Sequence, residues 1–564
     1  MGVGATDVVG RVGASVGQVA AVAPDFSAAL DVPNGGLLCA LPALLAVGLL
    51  ADVERHLQLP KGYYGLDSLL LLLAFMALAR LDSIESLRYR APGEWGNLLG
   101  LDRVPEVRTL RAKIAILAET DAPEQWSAAL CARWMAAAPE QAGVLYIDGH
   151  VRVYNGSQTR LPRHYVARQR LCLRATTDYW VNAMDGQPFF VVNQVVDPGL
   201  IKVVEQEIVP RLEQCTPVTQ QQLDADPLRH RFTLVFDREG YSPAFLQRMK
   251  ALRIACLTYH KYPGEDWPEE EFVTTRLQLP SGETLTMDLA ERGTRLSNGL
   301  WVREVRKRSE RGHQTAVLST DYGSDAPPLA LAMFARWSQE NFFKYAREHF
   351  ALDRLVDYRT ETISDPIQVV NPHWRRLDGQ VRSATSKLTR RLASFAAMTL
   401  EEPIEAANVE PFMQRKGALH DEIEALQHQL DALKAERKAT AHHITVEELP
   451  EEARFQQLST HSKHLVDTIK MIAYRAETAM ANCLREHLKR PDEARRLLRA
   501  LYTTEADLLP DTDASTLTVR LHHGANAATN QVIEKLCEEL NETETVFPRT
   551  NLRLVMKLGS TQNP

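Results

Sequence analysis

Two apolar runs that each stop at an aspartate set the tightest limit on how this 564-residue chain folds. Val144-Leu145-Tyr146-Ile147 ends at Asp148, and Phe232-Thr233-Leu234-Val235-Phe236 ends at Asp237. Short apolar runs rich in β-branched and aromatic residues read as buried strands. A third acid, Glu340, sits in the helical stretch Arg336-Trp337-Ser338-Gln339-Glu340-Asn341-Phe342-Phe343-Lys344. Two carboxylates at strand ends and one on a helix are a donor set for two divalent cations held against a phosphodiester. Oxygen ligands suit Mg²⁺, with Mn²⁺ as a substitute. Paired ions stabilise both the attacking and the leaving oxygen of an in-line displacement.

The segments around these acids arrive in a definite order. After the strand through Asp148, Tyr179-Trp180-Val181-Asn182 and Phe189-Phe190-Val191-Val192 flank Met184-Asp185-Gly186-Gln187, a tight hairpin signal. A helical stretch, Leu200 to Glu213, precedes the Asp237 strand; a helix from about Pro243 to Leu252 then leads to the strand Arg253-Ile254-Ala255-Cys256-Leu257. Three strands, helix, strand, helix, strand is the opening of a ribonuclease H-like α/β core, in which the first and fourth strands are neighbours. That pairing would bring Asp148 beside Asp237.

Around this core, residues 140–262 and 325–360, the sequence divides into further regions. Residues 1–33, rich in Gly, Ala and Val, read as a flexible tail, and 34–125 as a helical domain. Within it, Val104 to Ile114, with Arg108 and Arg111, fits either the second helix of a helix-turn-helix DNA-binding motif or one helix of an ordinary amphipathic bundle. Residues 263–324 have alternating β character and read as an insertion. Residues 361–564 read as a helical C-terminal region. There Leu419, Ile423, Leu426, Leu430 and Leu433 form a short apolar seam, suited to a dimeric coiled coil or to an antiparallel hairpin with the later helix of Leu465, Ile469, Ile472 and Met480.

Seven scattered cysteines without a C-x-x-C pair argue against a disulfide framework or a cysteine zinc site, and fit a reducing cytoplasm. The apolar stretches Leu37–Leu50 and Leu69–Leu78 fall short of the roughly 20 residues of a membrane span, so buried helices are expected. With a net charge of −7, any contact with DNA must be local. The most basic stretch holds Arg152, Arg160, Arg163, Arg168, Arg170 and Arg174, interleaved with Tyr154 and Tyr165, and no acid lies between Asp148 and Asp178. Such a stretch suits phosphate contact and base stacking, or else the charged outer face of a strand pair. Two further basic clusters are Arg303, Arg306, Lys307, Arg308 and Arg311, and Arg375, Arg376, Arg382, Lys387, Arg390 and Arg391.

In blocks from about residue 95 to 390 the chain resembles bacterial insertion-sequence transposases of the DDE type. Ile147-Asp148-Gly149 is similar to that family's first-acid motif, and Asp237-Arg238-Glu239-Gly240-Tyr241 to its second. Arg336 and Glu340 fit a Tyr-Arg-Glu-Lys signature, with Met333 at its tyrosine position and Arg347 at its lysine position. The resemblance implies cleavage at mobile-element ends and joining of the 3′ hydroxyls to target DNA. Asp148, Asp237 and Glu340 would hold two Mg²⁺ ions, while Arg336 and Arg347 contact phosphate or steady the carboxylates. It also implies DNA as partner, a dimer on DNA, no membrane, and a cytoplasmic, nucleoid-associated protein. A ribonuclease H-like nuclease without strand transfer, and a catalytically silent DNA-binding descendant, are the alternatives. His150, two residues past Asp148, points to the same side of an extended strand, but two-metal chemistry does not need it. Asp321 and Asp325 read as turn or capping residues, and His442-His443 as surface.

Overall fold

The computed structural model describes residues 4–559 apart from 155–160, 167–170, 195–196, 279–283, 335, 355–359, 362–367, 401, 451–456, 459 and 525. The chain forms two units: residues 1–154, 163–359 and 458–564, and residues 155–162 with 360–457.

In the first unit, the segment expected as a loose tail is folded. Asp7 caps the helix Val8–Ser15 by accepting from the Gly10 amide at 2.8 Å, and Arg11 Nε donates to Asp102 at 2.9 Å. Strand β1, Ala29–Val32, pairs with Ala506–Asp511 at the far end of the sequence, and the Asp31 amide donates to Asp507 at 2.9 Å. This reveals the last 60 residues as more than a helical region. Ala506–Asp511, Thr516–His522 and Arg553–Gly559 complete a four-stranded sheet with β1, flanked by the helix Ala527–Glu542. Neither segment has a long apolar period of its own; each is ordered by the other.

The apolar stretches are buried, as their length demands. Helix Leu66–Leu78 is buried at every position except Asp67, and Leu41–Val47 ends where Gly48 turns to φ 107°, a conformation that favours glycine. Among the described residues no helix is long and apolar enough to cross a membrane. Helix His461–His487 runs through this core, its Leu465, Ile469, Ile472 and Met480 buried with those of Leu66–Leu78 and of Ala122–Ala137.

One ten-stranded sheet dominates the unit. Its strands are β2 Val144–Val153, β3 Arg163–Val166, β4 Leu171–Ala183, β5 Pro188–Gln194, β6 Thr233–Phe236, β7 Ala255–Tyr259, β8 Val273–Gln278, β9 Thr284–Arg295, β10 Trp301–Arg308 and β11 Gln314–Ser319. β5 pairs with β4 and β4 with β2, both antiparallel; β2 runs parallel to β6, and β6 parallel to β7. The strands of Asp148 and Asp237 are therefore neighbours, but β3 is one strand more than the sequence order gave, so β6 is the fifth strand of this sheet along the chain and not the fourth. β6, with all four residues buried, is the near-continuous apolar strand that a parallel pairing covered on both faces requires. Ser242 and Pro243 start the connecting helix Pro243–Ala251, the Ser242 hydroxyl accepting from the Phe245 amide. The β-rich insertion joins the same sheet: β11 pairs with β7, and β10, β9 and β8 follow, all antiparallel.

The second unit contains a helical hairpin of Pro372–Ala397 and Ala406–Ala439. Val381, Ala384 and Leu388 pack with Leu430, against which Ile423, Leu426 and Leu433 also rest. The apolar seam thus closes on the preceding helix. The later helix expected as its partner belongs to the first unit, where its apolar positions are fully buried.

Candidate active site

The register of β2 against β6 pairs Val144 with Thr233, Leu145 with Leu234 and Tyr146 with Val235. Two residues further along the same register come Asp148 and Asp237. Each turns one carboxylate oxygen onto a nearby amide: Asp148 accepts from Gly149 and Asp237 from Glu239, both at 2.9 Å. Thr258 on β7 fixes the Asp237 backbone by donating to its carbonyl at 2.8 Å. Burial pushes the Asp148 carboxyl up to about 6, and the charge of Asp237 adds to the rise, while Arg336 opposes it. The charge of Asp237 reaches Asp148, as the pairing of their strands requires.

The third acid is on the helix Trp337–His349, which is fastened across β2 and β4. Gln339 Nε2 donates to Asn182 Oδ1 at 3.0 Å, and Ser338 Oγ to the Met184 carbonyl at 2.6 Å. Gly186, in the β4–β5 turn, has φ 87°, and a Cβ there would come within 2.7 Å of the Ser338 carbonyl. The hairpin glycine is therefore needed twice, for the turn and for the close approach of the helix. Phe342 packs on Trp180 with centroids 5.2 Å apart, and Tyr345 hydrogen-bonds the buried Glu477.

Residues 336, 340, 343 and 347 share one face of this helix by its 3.6-residue period. Arg336 is close enough to Asp148 to pull its proton affinity down, and Phe343 stacks on His150 at 5.3 Å and 16°. Glu340 lies between these two anchors and is exposed, in the first turn of the helix. It is not among the groups that dominate the proton affinity of Asp148. Among the described residues, sets of three metal-capable side chains within 4.8 Å occur only at Asp31, Asp507 and His522 and at His420, Asp421 and Glu424. Asp507 is already bonded to Arg520 and His522. Asp148 and Asp237 are thus brought side by side by the register, with Glu340 on the overlying helix, and the three do not form such a set.

Two further acids join the strand edge. Burial raises the Glu239 carboxyl, and the charges of Asp197, Asp237 and Asp148 raise it further. Asp197 accepts from Tyr179 Oη at 2.6 Å and from the Gly199 amide at 2.8 Å. Glu239 lies in the block Asp237-Arg238-Glu239-Gly240-Tyr241, two residues past Asp237; Asp197, in Asp197-Pro198-Gly199, has no such neighbour in the sequence.

His150 is buried, its Nε2 bonded to Asp353, whose other oxygen accepts from Arg347 Nε at 3.0 Å. Against the upward pull of burial, the His150 hydrogen bond holds the Asp353 carboxyl below its usual range. His150 and Arg347 therefore tie the Glu340 helix, and the chain just after it, to the strand of Asp148.

The arginines of the basic stretch are separated by the fold. Arg152 is buried against Asp178, with Nη2 to Oδ1 at 3.0 Å. Arg163 is exposed on β3 and Arg174 is half-buried; Arg160, Arg168 and Arg170 lie outside the described residues, as does the side chain of Tyr165. Tyr154 is buried. Arg336 is half-buried, and its Nε is shielded from solvent without a hydrogen-bond partner. On the helix Val107–Leu117, Arg108 is exposed and Arg111 pairs with Glu85 at 2.9 Å; the preceding helix, Pro92–Asn97, has only six residues. Asp321 accepts from the amides of Gly323 and Ser324, the turn role its position implied. His442 and His443 are exposed.

Compared with known proteins, the chain matches a family model described as "Transposase protein" over residues 2–560. No curated protein matches it.

Proposed function

The chain belongs to this transposase family, and from that premise we propose that it cuts DNA at mobile-element ends and joins the freed 3′ hydroxyls to target DNA. Asp148, Asp237 and Glu340 are the acids of the reaction, in a ribonuclease H-like core. The observation that carries this reading is the pairing of β2 with β6, whose register leads to Asp148 beside Asp237, with the charge of Asp237 adding to the rise of the Asp148 carboxyl. Neighbouring parallel strands of this order, with antiparallel β4 and β5 on the other side of β2, support the fold reading.

The donor set fits Mg²⁺ or Mn²⁺: the side chains offer only carboxylate oxygens, and their mutual repulsion is what a bound cation relieves. Two such ions supply charge stabilisation for the oxygens that enter and leave phosphorus. Asp148 and Asp237 would share an ion at the strand edge, and Glu340 would complete the set from the helix. Arg336, with its unpartnered Nε, is placed to meet a phosphate oxygen beside Asp148. His150 and Asp353 position the Glu340 helix and touch no reacting atom. Water cuts the donor strand first, and the released 3′ hydroxyl then attacks the target phosphodiester at the same acids.

The test replaces Asp148→Asn, Asp237→Asn and Glu340→Gln one at a time and measures cleavage and strand transfer on element-end DNA. Each should lower both by more than the roughly 10–100-fold usual for losing a supporting residue, with DNA affinity retained. Near-normal cleavage by any variant removes that residue from the site. Cleavage without strand transfer in the unaltered protein would make it a nuclease.

A further inference from the structure

In the second unit, the helix Pro372–Ala397 carries six cations and one acid. Val381, Ala384 and Leu388 turn its apolar stripe toward the helix Ala406–Ala439. At about 100° per residue, Arg375, Arg382 and Arg390 fall on the opposite side and Arg376 and Lys387 on its flanks, and all five are exposed. The one acid, Asp378, is already held by Arg437 at 2.7 Å and by Arg382 Nε at 2.8 Å. Arg375, Lys387 and Arg390 have no carboxylate partner among the described residues. Gly379, Ser383 and Ser386 lie between the cations, so a partner's backbone can come close without meeting bulk. The neighbouring helix lacks this bias, with six acids against five Lys and Arg over Ala406–Ala439.

We propose that this face of Pro372–Ala397 lies along the phosphate backbone of duplex DNA and holds it without reading sequence. From Arg375 to Arg390 the helix rises about 22 Å, at roughly 1.5 Å per residue. A duplex presents a phosphate charge about every 1.7 Å of its axis, so a row of cations of this length meets several phosphates at once. The outward side chains are cations and small residues, which suit phosphate and sugar contact; base edges are read from within a groove. The choice of DNA over an acidic protein rests on the transposase reading; the placement of the cations does not.

The experiment uses the full-length protein and a 40-base-pair duplex of arbitrary sequence (about one helix face's length several times over), with affinity measured from about 50 to 200 mM salt. The combined variant Arg375→Gln, Arg376→Gln, Lys387→Gln and Arg390→Gln should flatten the slope of log affinity against log salt by about 3–4, at about 0.9 per lost contact. Affinity at the low-salt end should fall at least about tenfold. An unchanged slope in a variant with wild-type helicity overturns the proposal. So does an unchanged slope accompanied by lost self-association or lost binding to an acidic protein, which would assign the face to a protein partner. Should the combined variant fail to fold, Arg390→Gln alone must still flatten the slope by about 1. Asp148→Asn, run in parallel, separates the two readings. If it still cleaves while the glutamine variant has the shallower slope, the active-site reading fails and the DNA-holding face stands. If it is inactive and the glutamine variant keeps the full slope, only the face is lost.

Discussion

The arginines of β10 and those of the helix Pro372–Ala397 are similarly dense in the sequence, yet only the helical set faces solvent. On β10, Arg303 reaches Glu291 and donates to the Asp321 carbonyl at 3.0 Å. Arg306 pairs with Glu304 at 2.7 Å, donates to the Glu265 carbonyl at 2.7 Å and stacks 4.2 Å above Trp267; Arg308 meets Glu269. A strand inside a sheet has side chains of its own face and of its neighbours within reach, and here Glu291 and Asp288 of β9, Glu304 of β10 itself and Glu269 ahead of β8 neutralise the cations. A two-helix hairpin buries one stripe of each helix and leaves the rest in water; Arg382 and Arg391 still find Asp378 and Glu422, while Arg375, Lys387 and Arg390 have no carboxylate partner among the described residues. A basic cluster is thus a sign of nucleic-acid contact only where the secondary structure keeps acids away from it.

Stability measurements break or sharpen this contrast. The largest effect is expected at Arg152, which has the same fate as the β10 set: Asp178 is fully buried, and Arg152→Ala strands its charge. Breaking such a pair costs about 3–5 kcal/mol, read as a lower unfolding midpoint in denaturant. Arg306→Ala should cost less, about 2–3 kcal/mol, because His260 still hydrogen-bonds Glu304 at 3.1 Å. Lys470 is a third kind of cation, half-buried, and among the described residues its Nζ donates to the Ala351 carbonyl at 3.1 Å. Burial pushes its ammonium down to about 7. Between about 7 and the ordinary lysine value of roughly 10.4, the unfolded chain binds a proton that the folded chain does not. Stability therefore rises with pH across that window, by at most about 1.4 kcal/mol per unit, and Lys470→Met should flatten the rise in a pH series of unfolding curves. The smallest effect belongs to Lys387→Gln or Arg390→Gln, within about 0.5 kcal/mol of wild type. If Arg306→Ala is as mild as Arg390→Gln, the distinction between paired and unpaired cations falls.

The strand edge of Asp148 and Asp237 was legible because short apolar runs and a Ser-Pro helix start are local signals, and the order of elements supplied the neighbourhood. Gly186 was legible as a turn residue but not as the seat of Ser338, which depends on a helix 150 residues later. The fate of Arg152 was hidden for the same reason: strand pairing sets Asp178 opposite His150, and only the folded register reveals the carboxylate. The apolar seam of Leu430 was visible while its partner was not, since Leu388 and Leu465 offer similar stripes and the competition is settled by where each helix already packs. The strand β1 gave no sign at all, being four residues long and dependent on Ala506–Asp511.

That last pairing, with the burial of His461–His487 among helices from the first 140 residues, has a consequence for synthesis. At roughly 5–20 residues per second, the ribosome delivers Asp148 and Asp237 many seconds before the central helix, and β1 must wait for a partner 476 positions downstream of Asp31. A nascent chain thus carries both acids long before Glu477 arrives to accept from Tyr345 on the helix of Glu340. Chains terminated before His461 would hold every acid of the proposed reaction and none of the central helix, so on that proposal translation itself sets when the reaction can begin.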